Sequence, residues 1–230
     1  MTNPATNMSL RIAAFVAGLG LAVMTIFAVV AIYVVFPKLI IPGDAIATVN
    51  NIIADEALFR AGIGSLILVA ILDVLVAWAL YVFFEPVNKN LSLLTAWFRL
   101  VYSTILCFAL FKYIDVIHLL SGADYLKAIE SEQLQANVML LINTFDDAWS
   151  IGLVFFGLHL ALLGYLILSS DYVPKLLGVV LIAAGLAYLV DNIGILLIPG
   201  YDISIATFLG WGELLLMFWL LYRGSRLQGA

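Results

Sequence analysis

Residues 12–36 read IAAFVAGLGLAVMTIFAVVAIYVVF. This run of about 25 apolar residues holds no charged side chain, and as a helix it is long enough to cross a hydrocarbon core of about 30 Å. A signal peptide is the alternative interpretation, because Arg11 precedes the run and Val29-Val30-Ala31 resembles a cleavage site. A signal core has only about 7–15 apolar residues, so we expect an uncleaved first membrane helix.

The composition indicates a membrane protein along the whole chain. Apolar residues make up 65% of the 230 residues and charged residues 11%, whereas soluble domains have roughly 45–50% and 25%. We therefore expect a single transmembrane domain over residues 1–230. The net charge of −5 and the lack of a basic cluster argue against a nucleic-acid partner. The one cysteine, Cys107, excludes an intrachain disulfide and suits a buried, reduced thiol.

The apolar runs predict an all-α membrane protein, a six-transmembrane-helix bundle with two amphipathic outer segments. Prolines at or beside the ends of the runs support the boundaries, since proline cannot continue a helix interior. Short connections make spans two and three, four and five, and five and six antiparallel neighbours. The predicted spans lie at about 11–36, 57–84, 91–119, 146–169, 174–198 and 204–223.

The basic residues predict that both termini are cytoplasmic. Short loops and the basic tail carry the signals that the positive-inside rule weights most, at Lys89, Lys175, Arg223 and Arg226. The opposite side is acidic and carries the two longer connections. Each connection has apolar residues at helical spacing and is expected to form an amphipathic helix at the outer surface. The first stripe is Ile46, Val49, Ile52 and Ile53, after the predicted N-cap Asp44; the second is Leu134, Val138, Leu141, Ile142 and Phe145.

Four spans carry a lone ionisable residue near mid-depth: Asp73, Arg99, His159 and Glu213. Each lies about 8–11 residues from the cytoplasmic end of its span, which at 1.5 Å per residue is roughly 12–17 Å. The four residues therefore share one layer. Charges at this depth cost roughly 2.5–3.5 kcal/mol on insertion scales, so such residues are usually paired or used in function. Span five adds Asp191, nearer the outer surface.

Each of these residues has a structural and a functional interpretation. Asp73 and Arg99 form either an ion pair between spans two and three or a site in which Arg99 holds an anionic group and Asp73 orients it. His159 is either a neutral imidazole within the bundle or a group that exchanges a proton with Glu213. Asp191, beside Asn192, also has one structural and one functional interpretation. We take Asp73, Arg99, His159, Glu213 and Asp191 as the candidate binding residues.

Recognised catalytic and cofactor motifs do not occur in the sequence. There is no G-x-S-x-G, H-E-x-x-H, Walker or Rossmann pattern. Only two histidines, His118 and His159, are present, and their different depths make haem ligation improbable. Asp115, His118 and Asp146-Asp147 could form an outer metal site, but interfacial acids and a histidine at this height are common without metal. We expect no cofactor and no metal.

Several short motifs resemble those of a prokaryotic membrane family known as domain of unknown function 4386. The most specific motif is Gly152-Leu153-Val154-Phe155-Phe156-Gly157-Leu158-His159; others are Ile41-Pro42-Gly43-Asp44, Leu58-Phe59-Arg60, Pro86-Val87-Asn88-Lys89, Phe98-Arg99-Leu100, Gly164-Tyr165-Leu166, Pro174-Lys175-Leu176-Leu177-Gly178 and Gly185-Leu186-Ala187-Tyr188-Leu189-Val190-Asp191. The resemblance covers nearly the whole chain. It implies a multi-pass protein of a bacterial or archaeal cytoplasmic membrane, and it implies no activity.

Three functional hypotheses follow. We favour an integral membrane protein that binds an amphiphilic or anionic small molecule or a lipid at the mid-membrane polar layer, so that membrane lipid and a small amphiphile are the expected partners. The second is a proton-coupled transporter, although no inverted repeat is visible in the sequence. The third is a membrane-embedded enzyme acting on a lipid or isoprenoid, although no nucleophile is recognisable.

Overall fold

The computed structural model describes residues 9–126 and 128–224, and these residues form helices and loops without any strand. A π-helical segment, Val30–Val35, joins α1 to α2, and a short 3₁₀ turn occupies Asp124–Leu126. The helices are α1 (Leu10–Val29), α2 (Phe36–Leu39), α3 (Ala45–Ala54), α4 (Glu56–Phe84), α5 (Lys89–Leu119), α6 (Ser131–Ser169), α7 (Lys175–Leu197), α8 (Ala206–Leu209) and α9 (Gly212–Tyr222).

Five of the described segments are long and apolar enough to cross a membrane: Leu10–Leu39, α4, α5, α6 and α7. The distribution of apolar and ionisable side chains between the surface and the interior of these helices is the reverse of that in a soluble protein. Large apolar side chains such as Ile71, Phe108 and Leu176 are exposed, whereas Asp73, Arg99 and His159 are buried. Exposed apolar and buried ionisable side chains are what a lipid solvent requires. The chain is therefore a multi-pass membrane protein.

The sixth predicted span is shorter than the sequence suggested. It covers Ala206–Tyr222 rather than 204–223, and it is broken at Gly210-Trp211 into α8 and α9. Two glycines, Gly210 and Gly212, flank the break, and glycine is a poor helix former. Of the six spans that we predicted, five are full-length helices in the described part of the chain, and the sixth is a short, interrupted segment.

Of the two predicted amphipathic segments, the first forms a separate helix and the second is part of a longer one. The first is a separate helix, α3, and Asp44 caps it as predicted, since its Oδ1 accepts a hydrogen bond from the Ala47 amide at 2.8 Å. The second is not separate, because α6 runs without interruption from Ser131 to Ser169. Its stripe packs on the core through Val138, Ile142 and Phe145. Since no proline or glycine lies between residues 131 and 151, nothing in the sequence stops that helix early.

Close helix contacts hold the bundle together. Helices α6 and α7 meet backbone to backbone at two glycine pairs: a Cβ atom on Gly164 would lie 2.6 Å from the Gly178 carbonyl oxygen, and one on Gly185 would lie 2.5 Å from that of Gly157. Small residues at such crossings are typical of membrane helices. Cys107, which we predicted to be buried, is exposed on the outer face of α5.

Helix α9 lies against α1 with the opposite chain direction. Gly18 packs against Leu220 and Leu221, and Gly224 packs against Ala14. The start of α1 and the end of α9 therefore lie at the same end of the bundle.

Candidate functional site

Arg99 is at the centre of the polar layer, on the middle of α5, and is fully buried. Its Nε atom donates to Oδ1 of Asp73 on α4 at 2.8 Å, and its Nη2 atom lies 2.7 Å from the same oxygen. The polar residues at helical spacing from Arg99 on α5 are also buried: Ser92, Thr95, Tyr102 and Ser103. The predicted ion pair between the second and third spans is present.

The Nη1 atom of Arg99 joins the other two residues of the layer. It donates to Oε1 of Glu213 at 2.5 Å and lies 3.1 Å from Nε2 of His159. All four mid-depth residues that the sequence placed in one layer therefore meet at a single guanidinium. The side chain of Glu213 is 17% exposed, whereas those of Asp73 and Arg99 are fully buried.

The contacts of His159 fix its tautomer. Its Nδ1 atom lies 2.9 Å from the carbonyl oxygen of Thr95, which only accepts hydrogen bonds. Its Nε2 atom faces the guanidinium of Arg99, which only donates. Nδ1 therefore carries the proton, Nε2 is the acceptor, and the imidazole is neutral. No hydrogen bond joins His159 to Glu213 in the described part of the chain.

Every nitrogen of the Arg99 guanidinium has a protein partner. A guanidinium carries its N–H donors on three nitrogens. Nε contacts Asp73, Nη1 contacts His159 and Glu213, and Nη2 contacts Asp73 and lies 3.6 Å from the sulfur of Met24. The ring of Phe156 lies beneath the guanidinium, with its centroid 5.6 Å from Cζ. An added anion would have to displace one of these groups in order to bind Arg99.

The acceptor side of the cluster is not fully used. Asp73 Oδ2 is buried without a hydrogen-bond partner among the described residues. Glu213 uses Oε1 alone in hydrogen bonds to the described residues. With a neutral imidazole, the cluster has one cation and two carboxyl groups, which is one acid in excess.

Asp191, the fifth candidate residue, has a different environment. Its Oδ1 atom accepts from the Tyr201 hydroxyl at 3.1 Å, and Oδ2 accepts from the Ala206 amide at 2.6 Å. The carboxylate thereby holds the loop after α7 and the first amide of α8. The structure does not bring Asp191 into contact with the Arg99 cluster.

A cavity of about 670 Å³ adjoins the cluster. Its wall is largely apolar and is formed by residues of all six long or broken segments, including Leu21, Ala28, Leu66, Leu106, Leu153 and Leu214. Among the described residues that line this wall, Glu213 is the one carboxylic acid, and Met24 and Phe156 connect the wall to Arg99. The excess carboxylate of the cluster therefore faces a cavity.

Two helix irregularities border this cavity. The π-helical segment contributes Ile32 and Tyr33, and the break between α8 and α9 contributes Gly210 and Trp211. Tyr33 and Trp211 are also among the exposed large side chains, so the cavity reaches the surface of the bundle beside these two residues, and we call it the lateral cavity. Local π-helical geometry occurs frequently at functional sites.

No sequence pattern indicated the cavity, and helical spacing indicates only part of its wall. Phe156 lies three residues before His159 and Tyr102 three residues after Arg99, so helical spacing could place both near the cluster. No sequence signal marks Met24, Trp149 or the π-helical segment. Among the described residues, no group of three or more His, Cys, Asp or Glu side chains is arranged to hold a metal ion.

Comparison with known proteins assigns the chain to a family. The sequence profile described as "Domain of unknown function (DUF4386)" matches residues 16–224. The chain belongs to the DUF4386 family. An uncharacterized protein of Archaeoglobus fulgidus is 36% identical over 161 residues, which cover 70% of this chain and 82% of that protein. No solved structure matches. The resemblance found in the sequence motifs is confirmed.

Proposed function

We propose that this DUF4386 protein binds an amphiphilic small molecule or a lipid in the lateral cavity, with the polar end of the ligand at Glu213. The observation that carries the proposal is the apolar cavity of about 670 Å³ that adjoins the carboxylate of a mid-membrane cluster. Small-molecule sites are typically cavities of about 300–1,000 Å³ with apolar walls and few polar groups.

The position of the opening supports an amphiphile rather than a water-soluble ligand. Tyr33 and Trp211 border the opening and are exposed on the outer face of helices that are otherwise covered with apolar side chains. A molecule that is already dissolved in the bilayer would enter sideways, leave its tail among the apolar side chains and carry its polar end to Glu213.

A second part of the proposal concerns the membrane. The motifs and the archaeal relative favour a bacterial or archaeal cytoplasmic membrane. Since the start of α1 and the end of α9 lie at one end of the bundle, the basic residues near that end, Arg11 and Arg223, favour a cytoplasmic location for both termini.

The geometry favours binding over proton exchange between His159 and Glu213. Both residues contact the same Nη1 atom of Arg99, and both ring nitrogens of His159 are engaged. A proton on its way from one residue to the other would have to pass a guanidinium that stays protonated.

Native mass spectrometry of protein extracted from its own membrane in mild detergent tests the proposal. We expect a discrete added mass on the wild type. The variant Ala28→Phe places a ring in the cavity wall and should lose that mass. Ala61→Phe adds the same ring on the exposed face of α4, outside the cavity wall, and should keep it. Equal added mass on both variants, or a bare wild type, would contradict the proposal.

A further inference from the structure

We infer that the ligand of the lateral cavity carries a cationic head group of the ammonium class, and that Glu213 together with surrounding aromatic rings selects it. This inference rests on the proposed function and specifies its ligand. It departs from the expectation of an anionic ligand at Arg99.

The charge of the cluster is the first argument. Arg99 is the single cation against the carboxyl groups of Asp73 and Glu213, and His159 is neutral by its hydrogen bonds. A ligand cation would balance the excess acid. An anion would increase the imbalance in a region of low dielectric, where unpaired charge is most costly.

The availability of polar groups is the second argument. All three nitrogens of Arg99 are engaged by protein groups, so an anion would have to displace one of those groups to reach the guanidinium. Glu213, by contrast, lies in the cavity wall with Oε1 alone engaged by described residues, and its side chain is 17% exposed. The cavity therefore offers a charged acceptor.

Aromatic rings in the same wall are the third argument. Tyr102, Trp149, Phe156, Tyr188 and Trp211 all line the cavity. The faces of such rings attract cations, and the attraction is stronger where the contact is desolvated. Aromatic cages are the usual means by which proteins recognise quaternary ammonium groups. With Tyr33, the wall carries six aromatic side chains around one carboxylate, and this combination matches an alkylammonium ligand.

Three probes with the same tail test the inference: dodecyltrimethylammonium, dodecyl sulfate and uncharged dodecanol. Each is titrated at low mole fraction into purified protein in micelles of an uncharged maltoside detergent, and binding is followed by tryptophan fluorescence. We expect the wild type to bind dodecyltrimethylammonium about tenfold more tightly than dodecyl sulfate. Glu213→Gln should reduce this preference to about twofold and leave dodecanol binding unchanged.

Matched variants distinguish selective binding at the Glu213 site from a general effect of the protein's charge. Glu56→Gln removes an exposed carboxylate at the start of α4 and should keep the tenfold preference. Should Glu213→Gln not fold, Tyr188→Leu serves instead, because it removes a ring and leaves all charges in place. It should weaken dodecyltrimethylammonium binding about fivefold and leave dodecanol binding unchanged.

The outcomes distinguish the two claims. If none of the probes binds, the proposed function fails and the inference fails with it. If the probes bind without a preference for the cation, or if dodecyl sulfate binds best, binding stands and the inference is overturned. A cation preference that persists in both Glu213→Gln and Tyr188→Leu would also overturn it.

Discussion

Arg99 and Asp73 form a one-sided ion pair, in which Nε and Nη2 of the guanidinium both contact Oδ1 of the carboxylate, at 2.8 and 2.7 Å. The second oxygen, Oδ2, is buried without a partner among the described residues. This geometry leaves Nη1 available for His159 and Glu213. One guanidinium thereby connects helices α4, α5, α6 and α9 near the centre of the bundle.

Removing the guanidinium alone should destabilise the protein strongly. Arg99→Leu leaves two carboxyl groups without their cation, and breaking a buried pair in this way typically costs about 3–5 kcal/mol. The triple variant Arg99→Leu/Asp73→Asn/Glu213→Gln removes the excess charge and should recover much of the loss in a thermal melt. As a control, Arg60→Leu removes an exposed pair with Glu56 and should cost less than about 1 kcal/mol. Failure of the triple variant to recover stability would contradict a structural role for the cluster.

His159 should be neutral with its proton on Nδ1. Nitrogen-15 NMR of the histidine-labelled protein at pH 7 should show a protonated Nδ1 and an unprotonated Nε2 for His159. His118 serves as the internal reference. Detection of an imidazolium or of the opposite tautomer would contradict the hydrogen-bond assignment. His159→Leu removes the imidazole donor to the Thr95 carbonyl and an acceptor of Arg99 Nη1, and should cost about 1–3 kcal/mol.

Asp191 should support the fold rather than the ligand. Asp191→Ala removes the acceptors of the Tyr201 hydroxyl and the Ala206 amide, which should lower stability by about 1–3 kcal/mol. Asp191→Asn retains one acceptor oxygen and should cost less. Binding of dodecyltrimethylammonium to either folded variant should match the wild type; a tenfold loss would place Asp191 in the binding site instead.

The glycine crossings of α6 and α7 should not tolerate a larger residue. A Cβ atom on Gly185 would meet backbone atoms at 2.5 and 2.7 Å, so Gly185→Ala should cost about 1–3 kcal/mol through overpacking. Gly64 on α4 has open space around the equivalent Cβ position, and Gly64→Ala should stabilise by about 0.5–1 kcal/mol. Thermal melts of the two variants measure the difference. A Gly185→Ala melt equal to that of the wild type would contradict the close crossing.

The sequence was sufficient to predict the membrane class, five helices and the polar layer, for physical reasons. Long apolar runs have few alternatives in a bilayer, and the 1.5 Å rise converts position in a run into depth. Asp73, Arg99, His159 and Glu213 could therefore be placed at one height. Whether they would meet depended on helix rotation and packing, which no local pattern records.

The features that the sequence missed depend on tertiary contacts. The break at Gly210-Trp211 and the uninterrupted helix α6 are the exceptions, because both follow local helix propensity, which the apolar pattern does not record. The π-helical segment has no local signal in the sequence. The same holds for the cavity and for Asp191, whose carboxylate was grouped with the mid-membrane residues although it caps α8. An isolated acid in a membrane helix indicates a partner without identifying it.

The most direct test of the account is a crystal structure of the protein with dodecyltrimethylammonium that carries a bromine atom at the end of its tail. Anomalous scattering locates the bromine without reference to the rest of the density. We predict a bromine peak at the lateral opening near Tyr33 and Trp211, with the ammonium group beside Glu213. A bromine peak only on the outer surface of the bundle, with an empty cavity, would contradict the account.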